Sequence, residues 1–259
     1  MIDSLYIGAT GMHAQQTQID VVANNLANVN TNGFKRSRVQ FEDLLYRNQG
    51  VASAAGGQAT NQMPMGMGTA IATTGKIFTT GDLKKTGEAL DVAIKGDGFF
   101  ELSLANGTSV YTRTGTFQIN TDRTLINPDG IPLSGLIQFP ADASNIKIDA
   151  DGRVTASVPG EKKAIEIGRI ELVTFVNPAG LSPSGDNVYS ATTSSGEAVR
   201  STPGENGTGA LQQGYVEASN VQLIEEMINL VMAQRAYEIN SKVVQAADEM
   251  LSISNNLHR

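Results

Sequence analysis

Six places in the chain carry residue types that could do chemistry. The two histidines, His13 and His258, would serve as general bases or metal ligands if a nucleophile or further ligands stood beside them. His13 falls in an N-terminal helical pattern and His258 lies at the far end of the sequence. Neither stands near a candidate nucleophile, a metal cluster needs more ligands than these two, and with no cysteine in the chain disulfides and thiolate metal sites are excluded. The run Gly96-Asp97-Gly98-Phe99-Phe100-Glu101 matches the first half of a dinucleotide fingerprint. It follows a strand pattern without opening a helix, so a hairpin is the better reading, and Gly66-Met67-Gly68 fails in the same way. Asp149-Ala150-Asp151-Gly152 starts like a calcium loop but has no Glu at the twelfth position, which leaves a turn. Glu225-Glu226 stands in the first turns of a long helical pattern, where carboxylates complement the helix dipole. The expectation is a non-enzymatic chain with no cofactor and no metal.

The elements that would have to position such residues are more informative. From Met232 to Leu257 apolar residues recur at alternating steps of four and three: Met232, Ala236, Ile239, Val243, Ala246, Met250, Ile253, Leu257. A second stripe, Leu223, Leu230, Tyr237, Val244 and Leu251, repeats every seven residues on another side. One stripe serves one partner helix; two stripes call for neighbours on both sides. A helix over 220–257 would be about 57 Å long at 1.5 Å per residue. At the other end Leu5, Ala9, Met12, Gln16, Ile19, Ala23 and Leu26 keep the same rhythm, widened by Val22 and Val29. That spacing predicts a helix from an N-cap at Ser4 to about Val29, with Gly8 and Gly11 weakening its first turns. It ends in Asn28-Val29-Asn30-Thr31-Asn32-Gly33, where Asn and Gly tolerate the left-handed conformation that terminates helices.

Composition narrows the class. The chain has 259 residues, 19 Lys and Arg against 26 Asp and Glu, and a formal charge of −7, which excludes a generic nucleic-acid binder. Aromatic residues make up only 5%, and 27 residues are Gly, a turn-rich composition. The first residues lack the basic and apolar regions of a secretory signal, and no run approaches the length of a membrane span. The expectation is a soluble protein, not membrane-embedded, that does not use the general secretory route.

Between the helices the pattern changes. Residues 36–46 are mixed, with a short helix expected around Phe41–Tyr46. Gln49 to Gly75 carries no charge and is rich in Gly, Ala, Ser, Thr, Gln and Met, which reads as an extended, irregular segment lying against something else. Nine short strand candidates follow: 92–95, 99–104, 109–113, 117–120, 135–139, 146–148, 153–158, 164–167 and 170–176. Asp97-Gly98, Asn106-Gly107, Asp129-Gly130 and Asp151-Gly152 supply turns between them. The expected architecture is α+β and multi-domain: an N-terminal helix and motif (1–35), an extended connecting segment (36–90), an inserted antiparallel β-domain (91–190), a return segment (191–214), and a C-terminal helix (215–259). The two terminal helices are expected to form a coiled-coil stalk.

Three blocks carry a resemblance to a known family. Ala23-Asn24-Asn25-Leu26-Ala27-Asn28-Val29-Asn30-Thr31-Asn32-Gly33-Phe34-Lys35-Arg36 is similar to the N-terminal signature of bacterial flagellar rod and hook axial proteins. So are Gly214-Tyr215-Val216-Glu217-Ala218-Ser219-Asn220-Val221 and Gln234-Arg235-Ala236-Tyr237-Glu238-Ile239-Asn240-Ser241-Lys242 near the C-terminus. The central block Asp91–Phe100, with Tyr111–Phe117 after it, resembles the hook and distal-rod branch, and Phe41–Tyr46 with the Gly-rich run behind it resembles the distal rod. The resemblance implies a structural subunit polymerising into the hollow distal rod and transmitting torque to the hook. Alternatives are a proximal rod or hook subunit of the same family and, more remotely, a secreted stalked adhesin. It implies export through the flagellar type III apparatus to the basal body in the periplasm. The implied partners are other copies of itself, the proximal rod proteins, the hook protein, and the periplasmic and outer-membrane ring proteins.

On that basis Leu5, Met12, Ile19, Asn24, Asn25, Leu26, Asn28, Val29, Gly33, Phe34, Leu223, Leu230, Met232, Arg235, Ala236, Tyr237, Ile239, Asn240, Val243, Val244, Met250 and Leu251 are the expected self-assembly residues. The seam Leu5–Leu26 is expected to pack on Met232–Leu257 within a chain, and the Leu223–Leu251 stripe on neighbouring subunits. Polar helix residues would line the tube, Gln49–Gly75 would bridge subunits and stiffen the rod, and the β-domain would face outward.

Overall fold

The computed structural model describes residues 2–44, 46–50, 62–135, 137–158 and 164–257. It is α+β, with a helix near each end and antiparallel sheets between. The chain divides into two compact units, one made of Met1–Ala27, Ser37–Gly75 and Gln222–Arg259, the other of Asn28–Arg36 and Lys76–Val221.

The first unit holds helix α1 (Ile2–Ala27) and helix α2 (Leu223–Leu257), whose 35 residues make it about 52 Å long. Helix α1 starts ahead of Ser4, so Ser4 is not its N-cap; Asp3 in the first turn complements the dipole instead. The short helix expected around Phe41–Tyr46 is a strand, β1 (Ser37–Asp43). Its apolar residues Val39 and Phe41 alternate with Arg38, Gln40 and Glu42, a period of two, and Val39 is buried while its neighbours are exposed. The segment read as irregular is likewise paired where it is described. Strand β2 (Tyr46–Gly50) runs antiparallel to β3 (Gln62–Gly66), with Tyr46 opposite Gly66 and Gly50 opposite Gln62, and β4 (Thr69–Lys76) pairs with β1. The Leu44 N–H donates to Gly68 O at 3.0 Å between these two pairings. Uncharged Thr and Ile residues fit a strand well, and ladder bonds supply the backbone partners that an irregular segment would have to find elsewhere. Leu45 and residues 51–61, which belong to the same reading, lie outside the described residues.

The second unit is built on a six-stranded sheet whose order across is 182–185, 188–190, 109–112, 99–103, 172–174, 199–201. Successive side chains alternate faces, and here both faces are covered. Phe100, Leu102, Val110, Leu172 and Val188 point into the larger core with Ile94, Phe117, Val154 and Ile170. Phe99, Tyr111, Val173 and Tyr189 point the other way and meet Phe78, Phe175 and Leu181. The adjacent pair Phe99-Phe100 thus feeds two cores. Few as the aromatics are, they are pooled: Phe78 meets Phe99 edge-on at 5.3 Å and Tyr189 at 5.1 Å, and Tyr111 meets Phe175 at 4.8 Å. Eight of the nine strand candidates overlap a strand. The ninth, 135–139, carries a single bridge from Gln138 to Thr124, and Leu136 within it lies outside the described residues. Strands at 83–85, 199–201, 210–213 and 215–217 extend the β structure on both sides of the expected span.

Candidate assembly surface

The two helices of the first unit pack antiparallel. Asn25 Nδ2 donates to Glu226 Oε2 at 3.2 Å, the Asn240 side chain lies against Gly11, and Val244 against Gly8. These contacts define the seam. On α2 it runs Glu226, Leu230, Ala233, Tyr237, Asn240, Val244, Ala247, Leu251, Ser254, again in steps of four and three; Glu226, Ala233 and Ala247 are fully buried. On α1 it runs Ser4, Gly8, Gly11, Gln15, Gln18, Val22, Asn25, flanked by the buried Ala14. The seam is therefore rich in small and polar residues.

This reverses the expected pairing. The Leu223–Leu251 stripe was assigned to neighbouring subunits, yet Leu230, Val244 and Leu251 face α1, while the stripe expected to face α1 is open: Met232 is 65% exposed, Ile239 61% and Ile253 59%, with Val243 and Met250 close behind. Leu5, Met12, Ile19 and Leu26 on α1 are half-buried, and Ala9, Gln16 and Ala23 between them are exposed. The physical reason is distance. A Cβ at Gly8 would stand 2.6 Å from Val244 Cγ2, inside van der Waals contact, so small residues on this face let the helices approach closely. An apolarity count cannot see that preference. At the start of α2, Leu223, Ile224, Met227, Ile228 and Val231 widen the exposed apolar surface further.

The signature residues have further partners, within the seam and outside it. In the first unit Asn25 is buried: it donates to Ser37 O at 2.9 Å and accepts the Ser37 N–H at 2.9 Å, pinning the start of β1. Asn24 is exposed. Arg235 is exposed and pairs with Glu238 at 2.9 Å, a weak i,i+3 surface pair. Ala236 is half-buried, Tyr237 39% exposed and Leu223 46% exposed.

In the second unit Asn28 accepts the Thr31 hydroxyl at 3.1 Å as the chain leaves α1, and Val29 is half-buried. Gly33 has a φ of +71° and its N–H donates to Glu217 O; an added Cβ would meet the Thr114 N at 2.9 Å. Phe34 is buried beneath the Lys76 ammonium, 4.2 Å from its ring centroid. Lys35, fully buried, donates to Glu217 Oε1 at 2.6 Å and to Thr79 O at 2.7 Å. The buried Arg113 stands 3.5 Å from the other Glu217 oxygen and donates to Gly96 O. Burial lowers the Lys35 pKa against the opposing pull of Glu217. Asn220 accepts the Arg36 N–H at 2.7 Å and donates to Ile77 O and Thr79 O.

Lys35, Glu217 and Asn220 were legible only as members of motifs, and Gly8 and Gly11 were read as helix-weakening. The i,i+3 glycine spacing was the signal available for a close helix contact. Among the described residues no His, Cys, Asp and Glu group could hold a metal ion, and no helix is long and apolar enough to cross a membrane.

A helix pair that keeps one whole apolar stripe exposed beside a closely packed seam has the surface of a structural subunit rather than that of a catalytic pocket. Comparison with known proteins narrows the class. Residues 5–35 match the family described as flagella basal body rod protein, 93–156 the flagellar hook protein FlgE/F/G D1 domain, and 212–257 the flagellar basal body rod FlgEFG protein C-terminal region. The flagellar basal-body rod protein FlgG of Buchnera aphidicola subsp. Baizongia pistaciae is 46% identical over 97% of this chain and 98% of its own. That of Borreliella burgdorferi is 44% identical over the whole of both. The flagellar basal-body rod protein FlgF of Caulobacter vibrioides is 34% identical over 96% of this chain and 95% of its own. The chain belongs to the family of flagellar basal-body rod proteins.

Proposed function

We infer that the chain is a structural protein of the distal rod of the flagellar basal body, and that it acts by polymerising with copies of itself rather than by catalysis. The observation that carries this reading is the apolar stripe of α2, Met232, Ile239, Val243, Met250 and Ile253, left exposed on a helix whose other apolar stripe is already used. Burial of such a stripe is worth roughly 1.5–3 kcal/mol per large side chain, enough to drive association of subunits. Higher identity to relatives named FlgG than to the one named FlgF favours the distal over the proximal rod. The terminal helices act as a coiled-coil stalk that packs into a tube wall, with polar helix residues lining its inside. The paired strands between Ser37 and Lys76 reach to adjacent subunits and stiffen the polymer. Proximal rod proteins, the hook protein and the ring proteins around the rod complete the set of partners, and the subunit reaches the periplasm through the flagellar type III apparatus.

The test is sedimentation of the full chain over a concentration series, with electron microscopy of the pellet. Filaments that form above a threshold concentration are expected. Met232→Asp with Ile239→Asp should abolish them while the thermal melt of the β unit stays in place. A monodisperse monomer at every concentration would instead favour a stalked monomeric protein.

A further inference from the structure

The second unit holds a cavity of about 600 Å³ whose walls come from residues 88–91, 116–118 and 143–146. Its size suits a small organic group. The walls are fixed to one another. Gln213 Nε2 donates to Ala89 O at 2.7 Å and to Ile146 O at 2.9 Å, joining the first wall to the third. The Val92 N–H donates to Gly115 O at 2.8 Å, joining the first to the second. Two carboxylates line this cavity, Glu88 and Asp91, and among the described residues no Lys, Arg or His does. Glu88 is exposed, but Asp91 is only 9% exposed. Among the described residues the Asp91 carboxylate accepts no hydrogen bond and joins no ion pair, and neither does that of Glu88. A carboxylate so far removed from water is costly to keep charged unless a cation or a donor pairs with it. Thr116, Gln118 and Asn145 add acceptor oxygens to the lining, and Leu90, Phe117 and Ile146 give it apolar surface. A metal ion is not matched, because among the described residues no group of three or more His, Cys, Asp and Glu could hold one. The complement of such a lining is a positively charged N–H donor on a hydrocarbon stem.

We propose that this cavity binds an organic cation, an ammonium or guanidinium group carried on an apolar stem. The charge lies against Asp91 and Glu88, and the methylenes lie against Leu90, Phe117 and Ile146. Pairing offsets the desolvation of the Asp91 carboxylate, and a neutral group of the same shape cannot do this. A lysine or arginine side chain of another protein and a free diamine share this chemistry. They differ in how the stem continues. A side chain arrives on a peptide backbone, to which the exposed Gln118 and Asn145 offer amide groups, whereas a diamine brings a second charge and no backbone. Nothing in this site depends on the apolar stripes of the helices, so it stands or falls separately from the polymerisation proposed above.

The test is a titration of the isotope-labelled full-length chain, kept dilute, followed by nuclear magnetic resonance. The probes are N-acetyl-arginine amide, N-acetyl-lysine amide and cadaverine, with N-acetyl-citrulline amide as the uncharged counterpart of arginine. The cations are expected to shift the side-chain amide signals of Gln118 and Asn145 saturably, and citrulline to leave them in place. Asp91→Asn should weaken binding roughly tenfold or more, as removal of one partner from a desolvated charge pair does. Glu88→Gln, at an exposed position, should weaken it by a smaller factor. Should Asp91→Asn fail to fold, Glu88→Gln and the citrulline comparison decide the matter. Tighter binding of the acetylated amides than of cadaverine assigns the site to a side chain of a partner protein, and the reverse order assigns it to a free amine. Citrulline binding as well as arginine, saturable binding that survives the substitutions unchanged, or no shift with any of the three cations would overturn the proposal.

Discussion

At the scale of single residues the clearest consequences come from buried charge. Glu217 is the buried carboxylate set against the buried cations Lys35 and Arg113, with Asp97 adding a weaker pull on both, and it also accepts the Gly81 N–H at 2.8 Å. Glu217→Gln keeps the shape but leaves two desolvated cations with only the weaker pull of Asp97. We expect a loss of about 3–5 kcal/mol, the range for breaking a buried ion pair, read as a lower urea midpoint with an unchanged slope. Glu101 offers a pH-dependent test. Its hydrogen bonds from Arg200, at 2.6 and 2.7 Å, hold its pKa below the usual carboxylate range. A depressed pKa stabilises the fold above the ordinary value of about 4.3, and that contribution is lost as pH falls through the depressed value. Arg200 is largely exposed, so the pair is worth about 1 kcal/mol or less. Arg200→Ala should lower stability at neutral pH by that amount and narrow the difference from the unaltered chain at the acid end of a stability profile.

At the scale of elements the helix seam is the part most open to test. Gly8→Ala gains about 1 kcal/mol of helix propensity but places a methyl group 2.6 Å from Val244 Cγ2, an overpacking cost of roughly 1–3 kcal/mol. Val244→Ala opens a hole at the same place. The double variant should be more stable than the sum of the singles implies, a coupling of about 0.5–3 kcal/mol in a thermal-melt cycle. The same site explains what could be read in the sequence and what could not. Four-three periodicity located both helices to within a few residues, because it depends only on the helical repeat. It could not say which of two stripes faces inward, since that is decided by how closely the axes approach at Gly8 and Gly11. Turn residues such as Asn106-Gly107 located the hairpins, but strands of three residues such as 83–85 and 199–201 carry too few alternations to register as a pattern. Residues 41–43, at the start of the expected helix Phe41–Tyr46, are strand because Phe41 and Leu44 only mimic a helical step, while the buried Val39 shows that the chain alternates.

At the scale of the whole molecule, assembly and stiffness are assigned to different parts of the chain. If the stripes of α1 and α2 drive association, removing the paired strands should leave polymerisation intact and change only the mechanics. Strand β2 and strand β3 pair with each other alone among the described residues, a two-stranded arrangement that is marginal by itself and gains order against a neighbour. Their outer backbone groups offer hydrogen bonds to a second chain, and Arg47 is the only charged residue in β2, β3 or the first seven positions of β4 to oppose such pairing. Deleting residues 46–66 joins Leu44 and Leu45 to Met67 and keeps β1 beside β4. We expect the shortened chain to sediment at nearly the same threshold concentration, but to form filaments with visibly larger bend fluctuations in electron micrographs. Loss of polymerisation on this deletion would mean that the strands, and not the helix stripes, carry the contact between subunits. Unchanged straightness would remove the strands from any part in stiffening and leave torque to pass through the helices alone.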